Sequence, residues 1–213
     1  MPINDERKLI FIHIPKTGGT SLSSMLFGNI QHSKDKLLGS MIEVGGKYRR
    51  SSHCTAEEIL LLHSQKFLEY SIITCVRNPY HRVVSEYFHL KRFAKKHPVL
   101  GYVNKMSFKE FVIGLADNYD IIRETCQNYK HEDYFIHFLP QVEFLKIDGQ
   151  MIDVKIFKFE KYHEIEEYFE KKTHLNKNKL KEKTEYERLY DNESKKIIST
   201  LYKEDFETFG YKP

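Results

Sequence analysis

Two spacings of apolar residues alternate along the chain. Leu9 to Ile14 and Tyr70 to Val76 are short, continuous apolar runs rich in β-branched residues, as buried strands require. Leu22, Met25 and Leu26, and later Phe108, Phe111, Val112 and Leu115, recur at steps of three and four, the spacing of one helix face. The first half therefore predicts strand 8–14, helix 19–28, an irregular segment 29–50, helix 55–66, strand 70–76 and helix 79–96. Such alternation predicts an α/β fold, a parallel sheet flanked by helices, as a single domain over residues 1–213. In the second half, Ser107 as cap and Glu110 at the capping-box position open a helix, and residues 120–126 continue as a second short one. Phe144–Ile147 and Val154–Phe159 flank Asp148-Gly149-Gln150 and predict a hairpin-like pair. Helices are expected over 162–172 and 191–209, the latter with Ile197, Ile198, Leu201, Phe206 and Phe209 near one face.

The first strand ends in a glycine turn, Pro15-Lys16-Thr17-Gly18-Gly19-Thr20-Ser21. Pro15 stops the strand, Gly18 and Gly19 permit a tight turn, and Thr20 or Ser21 is placed to cap the following helix. The N–H groups of such a turn and the positive end of the helix dipole favour an anion of phosphate size, and Lys16 adds a full charge. This is not the nucleotide loop Gly-x-x-x-x-Gly-Lys-Ser/Thr, because the lysine precedes both glycines. A lone glycine turn also occurs where a strand and a helix merely connect.

A second junction points to a ligand. The strand ending at Val76 runs straight into Arg77-Asn78-Pro79-Tyr80-His81-Arg82-Val83-Val84-Ser85-Glu86-Tyr87. Asn78 suits a cap and Pro79 the first helical position. Arg77 then stands at the carboxyl end of a strand, where open α/β sheets bind ligands. Its guanidinium offers a planar fork to a second phosphate, which the Ser85 hydroxyl is placed to complete. Two anion sites on successive strand–helix junctions suggest a ligand with phosphates at both ends.

A net charge of +4 is modest for a nucleic-acid binder, and no nucleic-acid partner is expected. Three scattered cysteines, with no Cys-x-x-Cys pair, argue against a metal site or disulfide framework and for a reducing compartment. Met1 to Arg7 is polar and the apolar run after it is only strand-length, so neither a signal peptide nor a membrane span is expected. The expected location is the cytoplasm, of a bacterium by the abundance of Lys, Asn, Ile and Tyr. Lys47 to Arg50 reads either as a solvated cluster or as an edge of the ligand groove, and lysine-rich 171–183 either as a loop over that groove or as a plain connection.

The two junctions resemble those of sulfotransferases that use 3′-phosphoadenosine 5′-phosphosulfate (PAPS). Pro15 to Thr20 is similar to their 5′-phosphosulfate loop, and Arg77-Asn78-Pro79-Tyr80 with Arg82, Ser85 and Tyr87 to their 3′-phosphate motif. The likeness extends to Ser52-His53-Cys54-Thr55, to His137–Gln141 and to Leu201–Tyr211, and is to the carbohydrate-type branch, which holds the uronyl 2-O-sulfotransferases and small bacterial relatives. It implies a P-loop-like sheet, PAPS as co-substrate, and a hydroxyl-bearing acceptor, a sugar or oligosaccharide. Lys16, Thr17, Gly18, Gly19, Thr20, Ser21, Arg77 and Ser85 are the expected donor-binding residues. A nucleotide phosphotransferase and a non-catalytic PAPS-binding module are the rival readings.

Sulfuryl transfer is an in-line displacement in which charge gathers on the leaving phosphate oxygen, so Lys16 and the amides of Thr17 to Ser21 are the expected stabilisers. The leaving group is an ionised phosphate ester, and no metal is required. The attacking hydroxyl needs a base, for which histidine has a suitable pKa. Of eleven histidines, His53 matches the position of the family's base, with His13 as the alternative. His81 is expected on a helix surface, and His137 with Gln141 either at the ligand or closing a local turn. Arg82 reads as a second phosphate contact or as a surface arginine.

Overall fold

Leu9 and Phe11, and the alternating Ile10 and Ile12, are all buried. A strand apolar on both sides belongs to a sheet covered on both faces. The structure, a computed structural model, describes residues 3–27, 41–94, 103–128, 135–170 and 186–213. Its strands are β1 (Ile3–Asn4), β2 (Leu9–Ile12), β3 (Met41–Val44), β4 (Lys47–Arg50), β5 (Ser71–Val76), β6 (Lys146–Ile147), β7 (Gln150–Met151) and β8 (Lys155–Lys158). Its α-helices are α1 (Gly19–Phe27), α2 (Ala56–Leu62), α3 (Ser64–Glu69), α4 (Pro79–Ala94), α5 (Phe108–Asp117), α6 (Tyr119–Asn128), α7 (Tyr162–Tyr168), α8 (Asn192–Leu201) and α9 (Lys203–Phe209).

The main sheet runs β1–β2–β5–β8. It is mixed, because edge strand β1 lies antiparallel to β2. The other pairs are parallel, with Ile12 opposite Thr74 and Val76 opposite Lys158. The carboxyl ends of β2, β5 and β8 therefore share one edge, followed in turn by the Lys16 loop, Arg77 and Phe159. On one face Leu22, Leu26 and Ile165, from α1 and α7, pack on Phe11, Ile73, Cys75 and Phe157. On the other, Ile59, Val84, Val112, Ile198 and Phe206 cover Ile10, Ile12 and Val76. Helices as short as α1 (9 residues) and α7 (7 residues) are marginal alone, so this burial, roughly 1.5–3 kcal/mol per large side chain, holds them.

Several expectations are corrected. Residues 41–50 are not irregular but form the hairpin β3–β4, with Val44 opposite Lys47. Gly45 (φ 55°) and Gly46 (φ 77°) make its two-residue turn, which needs positive φ at both places. The rest of that segment, 28–40, and the lysine-rich 171–183 lie outside the described residues. The helix expected over 55–66 breaks at His63 into α2 and α3. The expected pairing of 144–147 with 154–159 does not form. Lys146–Ile147 pairs with Gln150–Met151 around Asp148 and Gly149, while β8 joins the main sheet beside β5. The last helix is interrupted at Tyr202, which caps both α8 and α9. Neither Thr20 nor Ser21 caps α1; they sit in its first turn, and the Gly18 carbonyl accepts from the N–H of Ser21 (3.1 Å) and Leu22 (3.3 Å). The Ser107–Glu110 capping box is as expected.

Candidate active site

Where β2 ends, the chain turns through two left-handed residues, Lys16 (φ 68°) and Gly18 (φ 84°). The conformation is costly for a side chain such as lysine, of the order of 1–2 kcal/mol, so it must be held from outside. Thr17 Oγ1 donates to the Ile14 carbonyl (2.8 Å) and Arg77 Nη1 donates to the Lys16 carbonyl (3.2 Å). Gly19 opens α1 against the ring of His13, and a Cβ there would lie 1.9 Å from His13 Cδ2. Only glycine fits. As the first residues of α1, Gly19 and Thr20 have no intrahelical acceptor for their N–H groups. Thr17 is buried, Ser21 half-buried and Thr20 exposed. Burial lowers the Lys16 ammonium's pKa, Glu86 opposes that shift, and Arg77 and Arg92 add to it.

Arg77 is 8 % exposed at the carboxyl end of β5. Its guanidinium lies over the Phe159 ring (4.4 Å) and near that of Tyr186 (5.5 Å), and Nη2 donates to the Tyr186 hydroxyl (3.3 Å). Gln141 clamps its backbone: Arg77 N–H donates to Oε1 (2.8 Å), and Nε2 donates to the Arg77 carbonyl (2.9 Å). Gln141 is anchored in turn on Asp205 of α9. Arg77 Nε is buried and has no hydrogen-bond partner among the described residues. Asn78 caps α4 as expected, Oδ1 accepting from Tyr80 N–H (2.9 Å). Ser85 is half-buried, two turns into α4.

Arg82 is neither a surface residue nor placed for a phosphate. At 2 % exposure, it donates from Nε to the Pro15 carbonyl, from Nη1 to that of Leu139 and from Nη2 to that of His137. It pins the glycine loop to the 135–139 segment. His81 is not on the surface either; its side chain is 14 % exposed, beside Glu160 and tilted on Tyr186. Gln141 holds the Arg77 backbone, and His137 Nδ1 lies 3.0 Å from Glu86 Oε2.

Three imidazoles stand side by side at this edge. His53, in a 3₁₀ turn over Ser51–His53, lies 4.8 Å from His13 and 5.2 Å from His137 between ring centroids. His53 Nδ1 is 3.1 Å from the His13 carbonyl, which can only accept, so Nδ1 carries the proton and Nε2 is the basic nitrogen. The turn is fixed by the cap after it, since Thr55 Oγ1 accepts from Glu58 N–H and Glu58 accepts from Thr55 N–H. His13 is buried, which lowers its pKa to about 3, helped by the charges of His137 and Lys16. Sequence reasoning missed Glu86, Phe159, Tyr186 and Asp205 as parts of this site, and did not foresee Gln141 as the clamp on Arg77. Glu86 and Asp205 lay within stretches already singled out, Arg77–Tyr87 and Leu201–Tyr211.

A glycine loop and a buried arginine thus follow neighbouring parallel strands, with His53 beside them. Over residues 1–212 the chain matches the sulfotransferase family, and it belongs to that family. It is a transferase. No curated protein and no solved structure is matched. Among the described residues, no helix is long and apolar enough to cross a membrane.

Proposed function

We propose that the protein moves a sulfuryl group from PAPS to a hydroxyl of a carbohydrate acceptor. The observation that carries this reading is the joining of the two anion-binding elements. Lys16 and Arg77 follow adjacent parallel strands and are linked by the hydrogen bond from Arg77 Nη1 to the Lys16 carbonyl, with His53 beside the loop. The cradle suits the donor because the Arg77 Nε has no acceptor among the described residues and the first amides of α1 have no intrahelical acceptor.

In this reading Lys16 and the amides of Thr17 to Thr20 hold the 5′-phosphosulfate, while Arg77 and Ser85 hold the 3′-phosphate. The acceptor oxygen attacks sulfur and its proton passes to His53 Nε2. The bond from sulfur to the 5′-phosphate oxygen breaks, and 3′-phosphoadenosine 5′-phosphate (PAP) leaves. Lys16 meets the charge that grows on the departing oxygen. His13 is the poorer base, since a ring held at about 3 has little hold on a proton near neutral pH. The carbohydrate acceptor rests on the likeness of Ser52–Thr55 and Arg77–Tyr87 to the carbohydrate-type branch.

Radiolabelled PAPS offered with a panel of saccharide and small-molecule hydroxyls tests the reading. Label should pass to saccharides, and His53→Ala should lower turnover roughly 10²–10⁴-fold while PAP still binds. PAP binding without transfer to any hydroxyl would reduce the protein to a binding module. Normal turnover in His53→Ala, with loss in His13→Ala, would move the base to His13.

A further inference from the structure

Beside His53 lies a pair of ionisable side chains that the chemistry above leaves unused. Glu86, on α4, is 1 % exposed, and its Oε2 accepts from His137 Nδ1 at 3.0 Å. Burial pushes the Glu86 carboxyl up, but the charge and hydrogen bond of His137 and the charge of Lys16 outweigh it and hold the group at about 2. Oε1 is buried and has no hydrogen-bond partner among the described residues. A buried carboxylate so poorly solvated persists only where neighbouring positive charge compensates. Lys16 on the loop and the Nδ1–H of His137 supply that surrounding.

His137 is fixed at both ends. Its carbonyl accepts from Arg82, its Nδ1 faces Glu86, and its ring meets His53 edge-on at 78°. His53 is thus gripped between two imidazoles, His13 on β2's trailing end and His137 opposite. Behind its Nδ1 stands the His13 carbonyl.

We propose that Glu86, acting through His137, is the support and counter-charge of His53: the pair holds the ring edge-on and stabilises the imidazolium that forms when His53 takes the acceptor's proton. The inference rests on His53 being the base. Glu86 and His137 exchange no proton in the step; the proton moves only from the acceptor oxygen to His53 Nε2 as the O–S bond forms. They are positioning residues, comparable to a carboxylate behind a catalytic imidazole with one further ring interposed. Ligand atoms of Glu86, His89 and His137 also lie within 4.8 Å of one another, a spacing open to a divalent metal. The hydrogen bond already engages His137 Nδ1, and the charges of Lys16 and Arg92 act against a cation there.

The test compares pH profiles of kcat and kcat/KM for the unmodified protein, Glu86→Gln and His137→Asn, with PAP affinity confirming an intact donor site. Loss of a buried negative charge weakens a nearby base, so Glu86→Gln should move the acidic limb down by about one pH unit and lower kcat about tenfold. Its basic limb should fall too, because Glu86 supports the Lys16 charge. His137→Asn, whose amide still donates to Glu86, should lower kcat with the acidic limb in place. An acidic limb unmoved in Glu86→Gln at normal PAP affinity overturns the inference. If His53→Ala is inactive in the same series, the base assignment survives; if it is active, both fall. Should Glu86→Gln not fold, long-range proton–nitrogen NMR of the unmodified protein decides, since His137 must be protonated at Nδ1 and an Nε2-protonated ring overturns the pair. Zinc binding that raises turnover and is abolished in Glu86→Gln would overturn it in favour of a metal site.

Discussion

Arg77 ties the ends of two neighbouring strands together. Its guanidinium holds the Lys16 carbonyl and the Tyr186 hydroxyl and stacks on Phe159, yet Nε remains without an acceptor in a buried setting. Arg77→Ala is expected to weaken PAP binding by about 2–5 kcal/mol, the cost of losing a desolvated charge-assisted contact. Calorimetry giving an unchanged Kd would confine Arg77 to holding the loop. His13 carries a different signature. Unfolded, its ring takes up a proton near 6.5; folded, it resists protonation until about 3. Between those values the unfolded chain binds the extra proton, so stability is full above 6.5 and is lost as pH falls. One such group contributes about 1 kcal/mol of loss between pH 6 and 5. Urea unfolding of the unmodified protein and His13→Asn should show that much less acid sensitivity in the variant. Equal slopes would mean that His13 is solvated in the native state.

At the scale of elements, the strand–helix junctions are held by segments remote in the chain. Gln141 hydrogen-bonds both the N–H and the carbonyl of Arg77, much as another strand residue would, where β5 has run out of partners. Asp205 of α9 holds Gln141 there through its backbone N–H (2.9 Å) and its Nε2 (3.2 Å). Gln141→Ala leaves the Arg77 N–H and carbonyl unpaired in the interior, at about 1–3 kcal/mol each. The variant should melt several degrees lower and bind PAP more weakly. A shift in melting temperature without any change in PAP affinity would show that the clamp serves the core alone.

For the whole molecule, the sheet places the glycine loop and Arg77 at neighbouring strand ends, so one ligand with two phosphates can engage both. PAP should therefore raise the melting temperature more than ADP, which lacks the 3′-phosphate. At a hundredfold excess over its Kd, PAP should contribute roughly 2.7 kcal/mol. Equal stabilisation by ADP at equal concentration would sink the two-site reading.

Both strand–turn–helix junctions were legible before any coordinates, because proline, glycine pairs and caps act within a few residues of one another. The family likeness rested on the same local motifs, and so did His53 through Ser52–Thr55. The Gly45–Gly46 hairpin and the break at Tyr202 were missed although their causes are also local, since an apolar period does not mark where a helix or loop divides. Other features could come only from tertiary packing. Periodicity identified 154–159 as strand-like but carried no information on whether it pairs with a neighbour or crosses back to β5. Arg82 looks like any surface arginine until carbonyls 55 to 67 residues away close around it. His13, His53 and His137 carry no mutual spacing in the chain; they meet because β2, a 3₁₀ turn and the 135–138 segment end at one edge of the sheet. Turns and caps are written in adjacent residues, whereas charge compensation and imidazole contacts depend on which distant elements the buried core brings together.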